Sequence, residues 1–223
     1  MKKILIAGLF LALSLVSALS ASAYTITIPG GVGGMPYYGG EYVGPIAAQL
    51  DYKSIVGGIT CDDINSTTYV PNLTGFGVTI ETISDHLSSL AGAKFYPALL
   101  KYEAAAWLNT QMHKASNASK PEFVGAIQFA IWELFTPGAW NKLSANAALL
   151  ASSQSWYDLA IHIDPLAYDF SSIRIYTPTD RTKNQEFISG DVNPVPEPGT
   201  MMLLGVGMLG LAIFGKRRMN KEE

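Results

Sequence analysis

The sequence predicts an α+β exported domain: a β-rich sandwich or barrel-like body with an inserted helical segment, between an N-terminal signal peptide and a C-terminal transmembrane segment. Three observations carry this. Both ends of the 223-residue chain are apolar runs flanked by basic residues. Between them the apolar period changes from 2 to 3.6 and back to 2. The stretch 24–195 is long enough for one domain with a core of its own.

Met1-Lys2-Lys3 is a basic start, residues 4–19 are apolar, and Ala21-Ser22-Ala23 is a small-residue cleavage pattern. Residues 1–23 are therefore read as a signal peptide and Tyr24 as the mature start. Residues 24–28 alternate as a strand. Residues 29–40 hold six glycines and read as a loop tipped by Tyr37 and Tyr38. Residues 42–52 and 55–60 read as strands around a turn at 51–54, and 69–70 and 75–83 as extended, the last rich in β-branched residues.

Helical spacing begins near Asp85, with Leu87, Leu90 and Ala91. Over residues 97–111, Leu99, Leu100, Ala104 and Trp107 share a predicted face. Ser119 and Glu122 stand in capping-box positions around Pro121. A helix over 123–135 follows, with Phe123, Ile127, Ala130, Ile131 and Leu134 as its stripe, stopped by Pro137-Gly138. Residues 144–161 form a third helix, with Ser152 to Ser155 as a point of interruption, and 173–176 and 186–189 close the domain as strands.

Residues 193–223 are separate from the domain of 24–192. Pro196 and Pro198 fix φ and remove two donors, so Pro196-Glu197-Pro198 is extended and unpaired. An uncharged run of 17 residues, 199–215, follows, at the lower edge of what spans a bilayer. Lys216-Arg217-Arg218 then marks the cytoplasmic side. This order resembles the PEP-CTERM sorting signal of bacterial exported proteins. The resemblance implies that an exosortase, an integral-membrane transpeptidase, acts at the triplet and that the precursor is anchored in the inner membrane before reaching the cell surface or exterior.

Within 24–195, 9 Lys and Arg face 15 Asp and Glu, a net charge of −6. With no basic patch, nucleic acid and anionic surfaces are poor partners. Cys61 is the single cysteine, so it has no intramolecular disulfide partner. An inert buried thiol, an intermolecular cross-link and other chemistry stay open. No ligand spacing suggests a metal, no cofactor motif is present, and His86, His113 and His162 are scattered. The chain is not expected to be an enzyme.

At Cys61 and Gly125-Ala126-Ile127-Gln128-Phe129-Ala130-Ile131-Trp132 the domain resembles the bacterial thioester domains of surface adhesins. Residues 127–132 fit that family's pattern of an apolar residue, Gln, two variable residues and two apolar ones. Ala104 to Leu108 resembles the helix that precedes it. Thr60 stands where the family has an aromatic residue or leucine, and Pro71 lies farther from the cysteine than is usual. The likeness spans residues 42–188. It implies an internal Cys61–Gln128 thioester that captures a surface amine or hydroxyl, shielded by Trp107, Phe129 and Trp132. Asp62 and Asp63 beside the thiol oppose its ionisation. The alternative is a non-covalent structural component of an exopolysaccharide matrix or biofilm.

Overall fold

The computed structural model describes residues 24–83 and 90–195, with positions 206 and 208 in addition. The chain opens with seven strands: β1 (Tyr24–Ile28), β2 (Tyr37–Tyr38), β3 (Glu41–Tyr42), β4 (Gln49–Leu50), β5 (Lys53–Ser54), β6 (Thr60–Cys61) and β7 (Asn72–Thr82). Four helices follow: α1 (Leu99–His113), α2 (Ala115–Ala118), α3 (Pro121–Phe135) and α4 (Ala147–Ile161). Four strands close the domain: β8 (Tyr168–Asp169), β9 (Arg174–Pro178), β10 (Phe187–Ser189) and β11 (Asn193–Pro194). The α+β expectation is met.

One antiparallel sheet runs β5-β4-β1-β7-β9-β10-β6. It curls as a half-barrel. Reciprocal 2.8 Å bonds between Ile46 and Ile59, on the segments leading into β4 and β6, tie its two sides together. The T-I-T-I alternation of β1 buries Ile26 and Ile28 completely. Asp51 and Tyr52 both have positive φ and form the two-residue turn of the β4–β5 hairpin. The sheet order puts β6, and with it Cys61, on an edge beside β10, where Cys61 registers with Phe187.

Helix α3 is the axis of the molecule. Every residue from Val124 to Phe135 is buried. Ile127, Ala130, Ile131 and Leu134 join a core made with α1, α4 and the closing strands. Ala126, Phe129 and Trp132 join a second core made with the sheet, which includes Cys61. A helix buried all round has no polar face, so the single stripe expected from the sequence is replaced by two, and Phe123 is only half-buried. Pro121 sits in the first turn as expected, but the cap position is Lys120, with no side-chain cap bond. Glu133 secures the other end by accepting from Gly138 N at 2.8 Å.

The expected face of α1 holds at Leu99, Ala104 and Trp107, which lie in or against the core, and fails at Leu100. Leu100 is 73% exposed, while Tyr102, Ala105, Leu108 and Met112 are buried. The Ala104-Ala105-Ala106 run carries almost no contrast around the helix, so periodicity could not mark the edge of its inner side. Helix α4 is unbroken through Ser152 to Ser155; Ser153 is buried and Ser155 Oγ donates to Ala151 O at 3.0 Å. Strand β11 pairs with β8, and Val195 N donates to Ala167 O at 2.9 Å, so the fold continues past residue 192. The predicted signal peptide and the helical start at 84–89 lie outside the described residues.

Candidate functional site

Cys61 and Gln128 lie 67 positions apart in sequence and meet in the fold. Gln128, 1% exposed on α3, donates its Nε2 to the backbone oxygen of Cys61 at 2.6 Å. Its Oε1 accepts from Gly44 N at 3.2 Å. A carbonyl acceptor on one side and an N–H donor on the other fix which end of the carboxamide is oxygen. The side chain is thereby clamped across the sheet edge, and Gln128 and Cys61 line one cavity.

That clamp depends on local backbone features. Gly44 has φ +106, and a Cβ there would stand 2.8 Å from Val124 Cγ1. Only glycine lets this segment press on α3 while aiming its N–H at Gln128. One turn before Gln128, Gly125 lies under the Tyr38 ring; a Cβ would meet Cδ2 at 2.6 Å. The β2–β3 hairpin therefore seats on α3 just upstream of Gly44. Neither glycine stands out in the sequence, because V-G-P and V-G-A are unremarkable tripeptides.

Cys61 and Gln128 line a cavity of about 280 Å³ together with Gly44, Trp132, Phe187 and Tyr69. The Cys61 thiol donates to Asp63 O at 3.1 Å. Burial pushes its pKa well up, and the neighbouring Asp62 adds to the rise. The Trp132 indole, whose buried N–H has no other partner, and the Asp63 backbone oppose it. Of the three expected shielding residues, Phe129 and Trp132 pack in the core around Cys61, edge to face at 4.9 Å. Trp107 does not. It packs against Trp156 on the helical side.

The adjacent carboxylates belong to a different cluster. Asp63 is fully buried, is ion-paired with Lys94 Nζ, and accepts from Asn65 N at 3.0 Å. Lys94 also reaches Ser66 Oγ at 2.7 Å and Arg181 O at 3.1 Å. Glu186, also fully buried, accepts from Tyr102 Oη at 2.5 Å, from Lys94 N at 2.7 Å and from Thr177 Oγ1. Neither oxygen of Asp62 has a partner. Burial, then the charges of Glu186 and Asp63, push its pKa well up. The Glu186–Tyr102–Lys94 network is the part that sequence reasoning missed. Its one signal was a glutamate at the head of an apolar strand.

Among the described residues, no group of His, Cys, Asp and Glu is placed to hold a metal ion. His113 Nδ1 lies 2.9 Å from Asp191 Oδ1 and His162 Nδ1 lies 2.7 Å from Asp158 O; neither ring lines the Cys61 cavity. Pro196, Glu197, Pro198, Lys216, Arg217 and Arg218 lie outside the described residues, as does the run 199–215 except for the helical positions Val206 and Met208. No helix among the described residues is long and apolar enough to cross a membrane.

Comparison with known proteins finds a matching family model and a similar solved structure. Residues 194–218 match the family model described as the PEP-CTERM protein-sorting motif. The match begins at Pro194, in the last strand of the folded domain. The chain is thus the precursor of an exported protein, carrying that signal directly behind its domain. The N-terminal domain of the Streptococcus pyogenes pilus tip adhesin Cpa is a similar solved structure, with 12% identity and a TM-score of 0.44 over 81% of this chain and 97% of that one. No curated protein matches the chain.

Proposed function

We propose that this protein is an exosortase-sorted surface adhesin whose domain forms a thioester between Cys61 and Gln128 and uses it once, for covalent attachment, without turnover. The observation that carries this reading is the clamp on the Gln128 carboxamide by Gly44 N and Cys61 O. Attack on an amide carbon places negative charge on its oxygen. A backbone N–H already aimed at that oxygen stabilises the charge as it develops. Sulfur bonds to the Gln128 carbonyl carbon, the carbon–nitrogen bond breaks, and the thiol hydrogen leaves with the nitrogen as ammonia. The dry core of Phe129, Trp132 and Phe187 keeps water from the activated acyl group.

The raised thiol pKa has a defined consequence. Cys61 is protonated at neutral pH, so closure of the bond is slow there and quickens as pH rises. The same thiol, satisfied by Asp63 O, favours the second reading, a non-covalent component of an exopolysaccharide matrix.

Intact mass separates the two. Protein purified from the exporting cell without added amines should be one ammonia lighter than its sequence and should take up methylamine. Cys61→Ala and Gln128→Ala should have full mass and take up none. Full mass with an alkylatable Cys61 in the denatured wild type would overturn the covalent reading. Sorting is tested separately: Glu197→Ala should leave the precursor uncut in the membrane fraction.

A further inference from the structure

The mouth of the Cys61 cavity is built from groups that the acyl chemistry does not need. Tyr42 and Tyr69, which line it, are 49% and 82% exposed. Tyr37 extends this aromatic surface, its ring 4.9 Å from that of Tyr42 and also exposed. Thr67 and Thr68 add hydroxyls, and Glu41 adds a carboxylate. Exposed tyrosine faces beside hydroxyls and a carboxylate suit the apolar face and polar edge of a sugar ring. The volume, about 280 Å³, is at the small end of ligand pockets.

The lining also restricts the nucleophile. No histidine, lysine or arginine is among the described residues that line the cavity. A hydroxyl therefore finds no neutral base to take its proton, whereas an amine attacks with its own lone pair. Glu41 is ion-paired to Lys142 at 2.7 Å, but both are partly exposed, and such pairs are weak and exchangeable. An incoming ammonium can share the carboxylate and lie against the tyrosine faces, and it becomes the attacking amine on giving one proton to water.

We propose that the cavity mouth is a binding site for amino sugars carrying a free amine, so that the partner is a de-N-acetylated amino-sugar polymer. The covalent half of this proposal rests on the thioester reading; the binding half does not. In the covalent step the sugar nitrogen bonds to the Gln128 carbonyl carbon, the carbon–sulfur bond breaks, and the amine proton ends on the Cys61 thiol.

The first experiment uses full-length Cys61→Ala protein, which cannot react. Calorimetry with a glucosamine tetrasaccharide, its fully N-acetylated counterpart and a glucose tetrasaccharide should show tightest binding to the first. Tyr42→Ala and Tyr69→Ala should each weaken that binding by about fivefold. No binding, equal affinity for all three sugars, or indifference to both substitutions overturns the proposal. The second experiment follows adduct mass in the wild type. Per amine, the glucosamine tetrasaccharide should add faster than methylamine, and Tyr69→Ala should abolish only that advantage. A wild type with no thioester whose Cys61→Ala form still binds the sugar sinks the covalent reading and keeps the site. A thioester that takes methylamine and shows no preference for the sugar does the reverse.

Discussion

Residues 61 and 62 are neighbours on the sheet edge and serve two buried polar regions of opposite character. On the Cys61 side, the Gln128 carboxamide is neutral, held at both ends and open to a cavity. On the Asp62 side, three buried carboxyls lie near one lysine, only Asp63 is ion-paired with it, and the Asp62 carboxyl oxygens have no hydrogen-bond partner among the described residues. Polar burial is tolerated in both places, but for different reasons. The first region hydrogen-bonds its carboxamide at both ends without burying net charge and lines a ligand-sized space. The second keeps carboxyls that resist ionisation, and it is a source of instability rather than a second site.

The largest effect should come from breaking the charged side. Lys94→Met leaves the Asp63 carboxylate buried without its cation and should cost about 3 kcal/mol in chemical denaturation. On the neutral side, Gln128→Met in a Cys61→Ala background strands Gly44 N and Cys61 O, at a cost of roughly 1–3 kcal/mol. Asp62→Asn should have the opposite sign, stabilising by about 1 kcal/mol at pH 7, because it removes a buried carboxyl whose ionisation burial and the neighbouring acids oppose. A loss of stability on that substitution would show that Asp62 is partnered after all.

The same contrast has a pH signature. The folded-state pKa values of Asp62 and Glu186 are raised, mainly by burial. The native state therefore holds protons that the unfolded chain has released. Stability from these two groups is fully present below the ordinary carboxylate range, near 4, and is lost as pH rises toward their folded values. The denaturation midpoint should be higher at pH 5 than at pH 8, and Asp62→Asn should flatten that slope. Asp180, held down at about 2 by Lys183 and Thr182, titrates below this window. The smallest effect tests the one exposed member of the expected α1 face: Leu100→Ala should change stability by less than about 0.5 kcal/mol.

Much of the fold was legible in the residues, and the misses follow a pattern. Strand β1 was readable because T-I-T-I places both isoleucines on one fully buried face. Helix α3 was readable in extent, since Pro121 and Pro137-Gly138 bracket it, but not in orientation, since it is buried on every side. The inner face of α1 was legible at Leu99, Ala104 and Trp107 but not at Leu100, because the alanine run gives little contrast around the helix. At the site, Cys61 and Gln128 were found through their motif. Gly44 was not, because a backbone donor leaves no pattern in one sequence.

The sequence alone carried the sorting motif and the expected order of the parts. Apolar runs, a proline-flanked glutamate and terminal charges act locally, through hydropathy and backbone stiffness, and need no folded partner to be read. The tertiary structure alone decided what Cys61 and Gln128 touch. Their meeting depends on which strand forms the sheet edge and on a glycine that lets the chain press on α3, and those are long-range choices made by packing.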